Sequence, residues 1–195
     1  GMGPMASRWG PGAQTMVGFD RKNKIQLQMS AFRLLPATLG ATGGTFISEV
    51  AMQHWTGIGD PSTSVRYGRG FEYGAAAHTS FGGACPAAAT NAKNCTTNGY
   101  FTSNAWGVRM MAELEYPNLI PNVVMKPRLF YSRDFGGWSA DGMFSKGRQV
   151  ISPGVKFELN KRYSLDLNYS RFNRDAYFDS FHDRDFFALV LAMSL

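Results

Sequence analysis

Residues 106–116 read Trp106-Gly-Val-Arg-Met-Met-Ala-Glu-Leu-Glu-Tyr116, and their alternation decides the fold. Trp106, Val108, Met110, Ala112, Leu114 and Tyr116 are all apolar, while Gly107, Arg109, Glu113 and Glu115 between them are small or charged. Successive side chains of a strand point to opposite faces, so this segment has one greasy face and one polar face. Four further segments repeat the pattern. Val123, Met125, Pro127, Leu129 and Tyr131 oppose Lys126, Arg128 and Ser132; Ile151, Pro153, Val155, Phe157 and Leu159 oppose Ser152, Gly154, Lys156 and Glu158. Tyr163, Leu165, Leu167 and Tyr169 oppose Ser164, Asp166, Asn168 and Ser170, and Phe187, Leu189, Leu191, Met193 and Leu195 oppose Ala188, Ala192 and Ser194. Phe186 and Val190 blur that last polar face.

Each segment runs roughly 10–12 residues, where a soluble strand has about 5–6 and a tilted bilayer-crossing strand needs roughly 9–11. Trp106 and Tyr116 cap one apolar face. At about 3.3 Å per residue and a tilt near 45°, they stand roughly 23 Å apart along a membrane normal, matching an apolar band between two aromatic girdles. A soluble sandwich gives the same alternation but neither the length nor the girdles. The expected fold is all-β: an antiparallel up-and-down transmembrane β-barrel, or an open curved part of one.

Working outward, residues 1–23 read as a loop or the remnant of a preceding strand, and 24–195 as the barrel segment. A first strand is expected over 24–35, with Ile25, Leu27, Met29 and Ala31 opposite Gln26, Gln28 and Ser30. A turn over 36–44 leads to a weaker strand over 45–55. Residues 56–103 have no sustained period and are rich in Gly, Ala, Thr and Asn; on a barrel they form a long extracellular loop. The later connections alternate short (117–121), long (134–147), tight (160–162) and long (173–183). Short turns and the C-terminus are therefore expected on the periplasmic side. About seven strands result, whereas single-chain bacterial barrels have an even number and no open edge survives in hydrocarbon. The simplest expectation is a fragment of a larger barrel; a barrel shared between chains is the weaker one.

Charged residues make up 17% of the chain and aromatics 14%, with 22 glycines, and no apolar run approaches a membrane-spanning helix. The formal charge of +6 is dispersed along strands and rims, which speaks against a nucleic-acid patch. The opening Gly1-Met-Gly-Pro-Met-Ala-Ser-Arg8 lacks the apolar core of a secretion signal. An exported barrel then implies a signal already removed or a missing N-terminal portion.

Several runs together resemble the C-terminal part of the domain-of-unknown-function 1302 family. They are Gly59-Asp-Pro-Ser-Thr-Ser-Val-Arg-Tyr-Gly-Arg-Gly70, the two-cysteine loop, Lys126-Pro-Arg-Leu-Phe-Tyr-Ser132, Gly147-Arg-Gln-Val-Ile-Ser152 and His182-Asp-Arg-Asp-Phe-Phe187. The resemblance covers about residues 24–195. It implies a Gram-negative outer-membrane barrel several hundred residues long, with the remainder of its own barrel as the first partner. It also implies a periplasmic lipid carrier and an exporter as partners, and hydrophobic small molecules as cargo. It transfers no activity residue by residue. Such barrels usually end in Phe, whereas this chain ends in Leu195, which puts recognition by the assembly machinery in doubt.

The polar faces supply the main candidate set: Arg109, Glu113, Glu115, Lys126, Arg128, Lys156, Glu158 and Asp166 as lumen-lining residues. They carry both signs, which suits ion-paired walls and argues against strong ion selectivity. Cys85 and Cys95, the only cysteines, are expected to form a disulfide, and closing a loop of about 11 residues stabilises by roughly 2–3 kcal/mol. A metal site there would have only His78 nearby, so none is expected. Arg66, Tyr67, Arg69 and Tyr73 are candidate contacts for an anionic or aromatic ligand at the mouth, against the plainer reading that the glycines make tight turns and the arginines pair with nearby Asp or Glu. Lys22, Lys24, Arg133, Arg148 and Arg171 fall at outer strand ends, where they meet lipopolysaccharide phosphates or stay as solvated charge. Ser180, His182 and Asp183 permit a hydrolase reading, but residues clustered in one polar loop are recognised as a triad only by geometry. The expectation is an outer-membrane channel or transport component, not an enzyme and without cofactor, in contact with outer-membrane lipid and lipopolysaccharide. The alternatives are a structural or surface-recognition barrel and, third, a lipid hydrolase.

Overall fold

The computed structural model describes residues 19–70, Tyr73 and residues 92–194. Seven strands follow one another: β1 (Lys24–Leu35), β2 (Gly43–Trp55), β3 (Asn104–Ile120), β4 (Val123–Gly136), β5 (Gln149–Leu159), β6 (Tyr163–Phe172) and β7 (Phe186–Met193). They form one seven-stranded sheet in sequence order, β1 to β7, so that among the described residues β1 and β7 are its edges. The chain is all-β and antiparallel, as the alternation requires. No helix among the described residues is long and apolar enough to cross a membrane, which says nothing about strands.

Four boundaries depart from the sequence expectation. β2 begins at Gly43 rather than at residue 45, although paired glycines usually mark a turn. A Cβ on Gly44 would lie 2.3 Å from the Glu113 carbonyl oxygen, so close approach of the β3 backbone demands glycine there. β3 runs through Pro117 to Ile120, where a connection over 117–121 was expected. Thr42 donates to the Glu115 carbonyl, so β2 ends beside Glu115 and the nitrogen of Pro117 faces no strand on that side. Its missing N–H therefore costs no ladder bond. β4 continues past Asp134 to Gly136, and β7 stops at Met193. The tight turn is Asn160-Lys161, both with positive φ (51° and 56°), closed by the Arg162 N–H on the Leu159 carbonyl. Two such residues match the twist of a hairpin.

The chain forms two compact units. The first comprises Gly1–Leu27, Met52–Trp106 and Asp134–Lys146. Its most deeply buried large side chains are polar: Gln53, Asp134 and Ser139. The Ser145 N–H donates to the Asp134 carboxylate at 2.9 Å, and Ser139 and Phe144 exchange hydrogen bonds across the hairpin that follows β4. Gly137 turns this hairpin at φ +74°, where a Cβ would collide with the Asn104 carbonyl. Trp106 stacks on Phe135 at 4.7 Å, and both rings are exposed on their outer sides.

The second unit comprises Gln28–Ala51, Gly107–Arg133 and Gly147–Leu195. Here the register lays side chains out in rows. Met125, Phe157, Leu165 and Leu191 form one apolar row across β4 to β7, and Pro127, Val155, Leu167 and Leu189 form the next. The intervening rows are Lys126, Lys156 and Asp166, then Arg128, Gly154 and Asn168. The apolar face is the open one: Leu129 is 50% exposed and Leu191 73%. The polar face is the covered one, with Ser132, Ser152 and Ser170 each about 5% exposed. A water-soluble domain buries the opposite face.

Candidate functional site

The candidate site is the polar face of the second unit. Odd and even positions of adjacent strands come into line there, and the eight expected lumen residues carry four charges of each sign. The Lys126 ammonium lies 3.2 Å from Glu158 and 3.9 Å from Glu115, with Glu113 adding a longer-range attraction. Lys156 donates to the same Glu158 at 2.7 Å. Arg128 on β4 makes a two-pronged bond to Asp166 on β6, at 2.9 and 2.7 Å, reaching across β5. It crosses at Gly154, where a Cβ would stand 3.1 Å from the Arg128 Nε and 2.8 Å from Asn168. Arg109 donates to the carbonyl of its neighbour Val108. Lys126, Glu113, Glu115, Glu158, Lys156, Arg128 and Asp166 thus act on partners of opposite sign within the face. These pairs are part-exposed, so each is worth little alone, and the Arg128–Asp166 pair ties strands that are not neighbours.

The loops are held by a second class of charge pair. In the first unit, Lys24 donates to Asp141 at 2.9 Å, and Gln53 donates to the same carboxylate oxygen at 2.9 Å. Partial burial by itself pushes the Asp141 carboxyl up. The Lys24 ammonium, the Ser139 hydroxyl, the Met143 N–H and the Gln53 amide outweigh it and hold the carboxyl at about 2, against an ordinary 3.8. Trp55 donates to the Gln53 carbonyl at 3.2 Å, completing the anchorage. The loop after β4 is thereby fastened to the polar sides of β1 and β2, a long-range link invisible in the sequence. In the second unit, Arg148 grips Asp179 at 2.8 and 2.7 Å while lying 5.6 Å from the Phe181 ring, and Asp179 is 2% exposed. Asp185 accepts from the Phe172 N–H and the Tyr169 hydroxyl. Asp185 thus ties the end of β6 to the start of β7.

The mouth arginines turn inward to the loop itself. Arg66 donates to the Pro61 carbonyl at 2.6 Å, and Arg69 to the carbonyls of Tyr73, Asn94, Thr96 and Asn98. Both guanidinium groups lie over Tyr100, at 5.3 and 4.9 Å. Arg69 is a clamp that gathers the loop, and Tyr67 donates to Asp20. These acceptors are backbone carbonyls, where the plainer reading of the arginines had Asp or Glu. Beside them lies a cavity of about 370 Å³ that the sequence did not single out.

No hydrogen bond joins Ser180 to His182 among the described residues. His182 bonds instead to the Asp179 carbonyl, and the Asp179 carboxylate is taken by Arg148. Of the rim cations, Lys22, Lys24 and Arg148 lie beside carboxylates, and Arg133 and Arg171 are exposed. Cys95 ends a one-turn 3-10 helix, Ala92–Cys95. Cys85 and His78 lie outside the described residues. Among the described residues no group of His, Cys, Asp and Glu could hold a metal.

Fold and face together define a class: an antiparallel meander whose apolar side faces out and whose polar side carries a balanced ion-pair lattice. The chain belongs to the protein family of unknown function DUF1302, whose model matches residues 2–195. No curated protein and no solved structure matches it.

Proposed function

We propose that the chain is part of an outer-membrane β-barrel that serves as a passive channel or transport component for hydrophobic small molecules. In this reading its C-terminus is periplasmic and the loops after β2, β4 and β6 face outward. The observation that carries it is the inverted burial. Leu129, Leu189 and Leu191 lie open on one face while Ser132, Ser152, Ser170 and Gln53 are covered on the other. Acyl chains satisfy the first face and a hydrated lumen the second. Edge strands β1 and β7 would pair with the remainder of the same barrel, since an open edge is not tolerated in hydrocarbon. Exposed Arg133 and Arg171 each stand two residues beyond a tyrosine of the same strand, Tyr131 and Tyr169, a place suited to lipopolysaccharide phosphates.

The balanced lattice predicts weak ion selectivity. The cargo class, and partnership with a lipid carrier and an exporter, rest on family resemblance. Conductance of the full-length protein in planar bilayers, with uptake of apolar solutes into loaded vesicles, tests the proposal. Solute-dependent flux supports it. A reconstituted barrel with no leak and no uptake would favour the alternative reading, a structural or recognition barrel, which the mutual pairing of Lys126, Glu158 and Lys156 across the lumen face also fits.

A Cys85–Cys95 disulfide in the outward loop belongs to the same proposal. Its support is that the sequence holds two cysteines, both in the long loop after β2. Alkylation before and after reduction, read by mass, checks it: labelling without reductant would remove the disulfide from the proposal.

A further inference from the structure

The cavity beside the arginine clamp is lined by groups that the mouth's own bonding does not explain. Among the described residues, Lys22 supplies the one charged lining group and Ser64 a hydroxyl; Tyr67 offers an aromatic ring, and Ile58 and Val65 are apolar. The remaining wall is the backbone of Gly57 and Gly59. At about 370 Å³ the space falls at the small end of ligand sites, which span roughly 300–1,000 Å³.

The glycines keep it open. Gly57 holds φ +71°, and a Cβ there would come 3.3 Å from the Lys22 ammonium. A Cβ on Gly59 would stand 2.3 Å from the Ser64 hydroxyl. Bare backbone therefore runs beside both the cation and the hydroxyl. Two nearby carboxylates already have partners, and for Asp20 one of them is Lys22 itself. Asp60 is bonded to the Ser62 N–H and hydroxyl, and Asp20 receives the Tyr67 hydroxyl at 2.5 Å while standing 3.7 Å from Lys22. The ammonium also lies 5.3 Å from the centre of the Tyr67 ring. One cation and one hydroxyl beside Ile58, Val65 and an aromatic ring match a ligand with one negative head and a small apolar body.

We infer that this cavity binds a small amphipathic carboxylate, with the carboxylate on Lys22 and Ser64 and the apolar body against Ile58 and Val65. The inference deepens the transport reading by naming a ligand class at the outer mouth. It is tested by binding, without conductance. Full-length protein in detergent is titrated with benzoate and with hexanoate, using ligand-observed NMR; benzyl alcohol and inorganic phosphate serve as controls. Saturable binding of both carboxylates is expected, with benzyl alcohol and phosphate at least about tenfold weaker. Lys22→Met should raise the carboxylate Kd about tenfold or more, and Lys22→Arg should restore it to within about threefold, tenfold being about 1.4 kcal/mol. Ser64→Ala, which leaves the Lys22–Asp20–Tyr67 contacts intact, should weaken binding by a smaller factor. Absence of saturation into the millimolar range overturns the inference. So does equal affinity in Lys22→Met, or binding of phosphate or benzyl alcohol as tight as that of the carboxylates. Flux without carboxylate binding would sink this site and leave the channel standing; binding without flux would do the reverse.

Discussion

Replacing Asp141 by Asn keeps the shape of the loop anchor and removes its charge. The carboxyl sits at about 2 when folded, against 3.8 ordinarily. At about 1.4 kcal/mol per pH unit this sets an upper bound of about 2–3 kcal/mol on what ionisation contributes. The carboxylate side chain retains 24% accessibility and its Lys24 partner 34%, so solvent screening reduces the figure to about 1–2 kcal/mol. The folded-state value is depressed. The stabilisation is therefore complete above about pH 4, is lost as the pH falls from there through about 2, and is gone below. Hydrogen exchange at the Met143 and Ser145 amides reads the anchor, since Met143 donates to Asp141 itself and Ser145 ties the same loop to Asp134 near the end of β4. Asp141→Asn should speed their exchange about 5- to 30-fold at pH 7 and leave β5 and β6 amides unchanged. Below pH 2 wild type and variant should converge. Equal exchange at pH 7, or a difference that survives below pH 2, would refute the anchoring by charge.

Three other outcomes follow from the geometry. Gly154→Ala places a methyl against Asn168 and the Arg128 guanidinium, so it should cost about 1–3 kcal/mol in urea unfolding from lipid vesicles; Arg128→Met in the same background should cost little more. Arg148→Met strands the buried Asp179 carboxylate and should cost about 3–5 kcal/mol, most of it recovered by Asp179→Asn as a second change, in the same unfolding assay. Leu167→Arg, at mid-strand on the apolar face, should cost about 2–4 kcal/mol in vesicles; a cost below about 0.5 kcal/mol would place that face in water.

How much was legible depends on the range of the interaction. Both bounds of β1 and the start of β6 follow from local alternation, because period two is a property of neighbours. The start of β2 does not, because glycine reads as a breaker and its use at Gly44 is set by Glu113, far away in sequence. Pro117 likewise reads as a stop unless one knows that β2 has already ended beside it. Alternation alone assigned the charged residues to one face, and the structure adds pairings among them. Nothing local indicates that Arg128 reaches Asp166 rather than a residue on β5, since the route depends on an absent side chain at Gly154. At the mouth, residue types suggested ligand contacts, but Arg69 donates to four backbone carbonyls. The anchor at Asp141 joins the loop after β4 to Gln53 and Lys24, and no spacing rule connects them.

The Arg128–Asp166 fork bridges second-nearest strands, and that has a mechanical consequence. Rungs between β5 and either neighbour can open one at a time without letting β4 and β6 slide apart, because the fork carries load in parallel with them. Sliding any one of the three by a residue would carry a partner to the opposite side of the ribbon. The three strands therefore share a single alignment, pinned by a guanidinium that passes over bare backbone at Gly154.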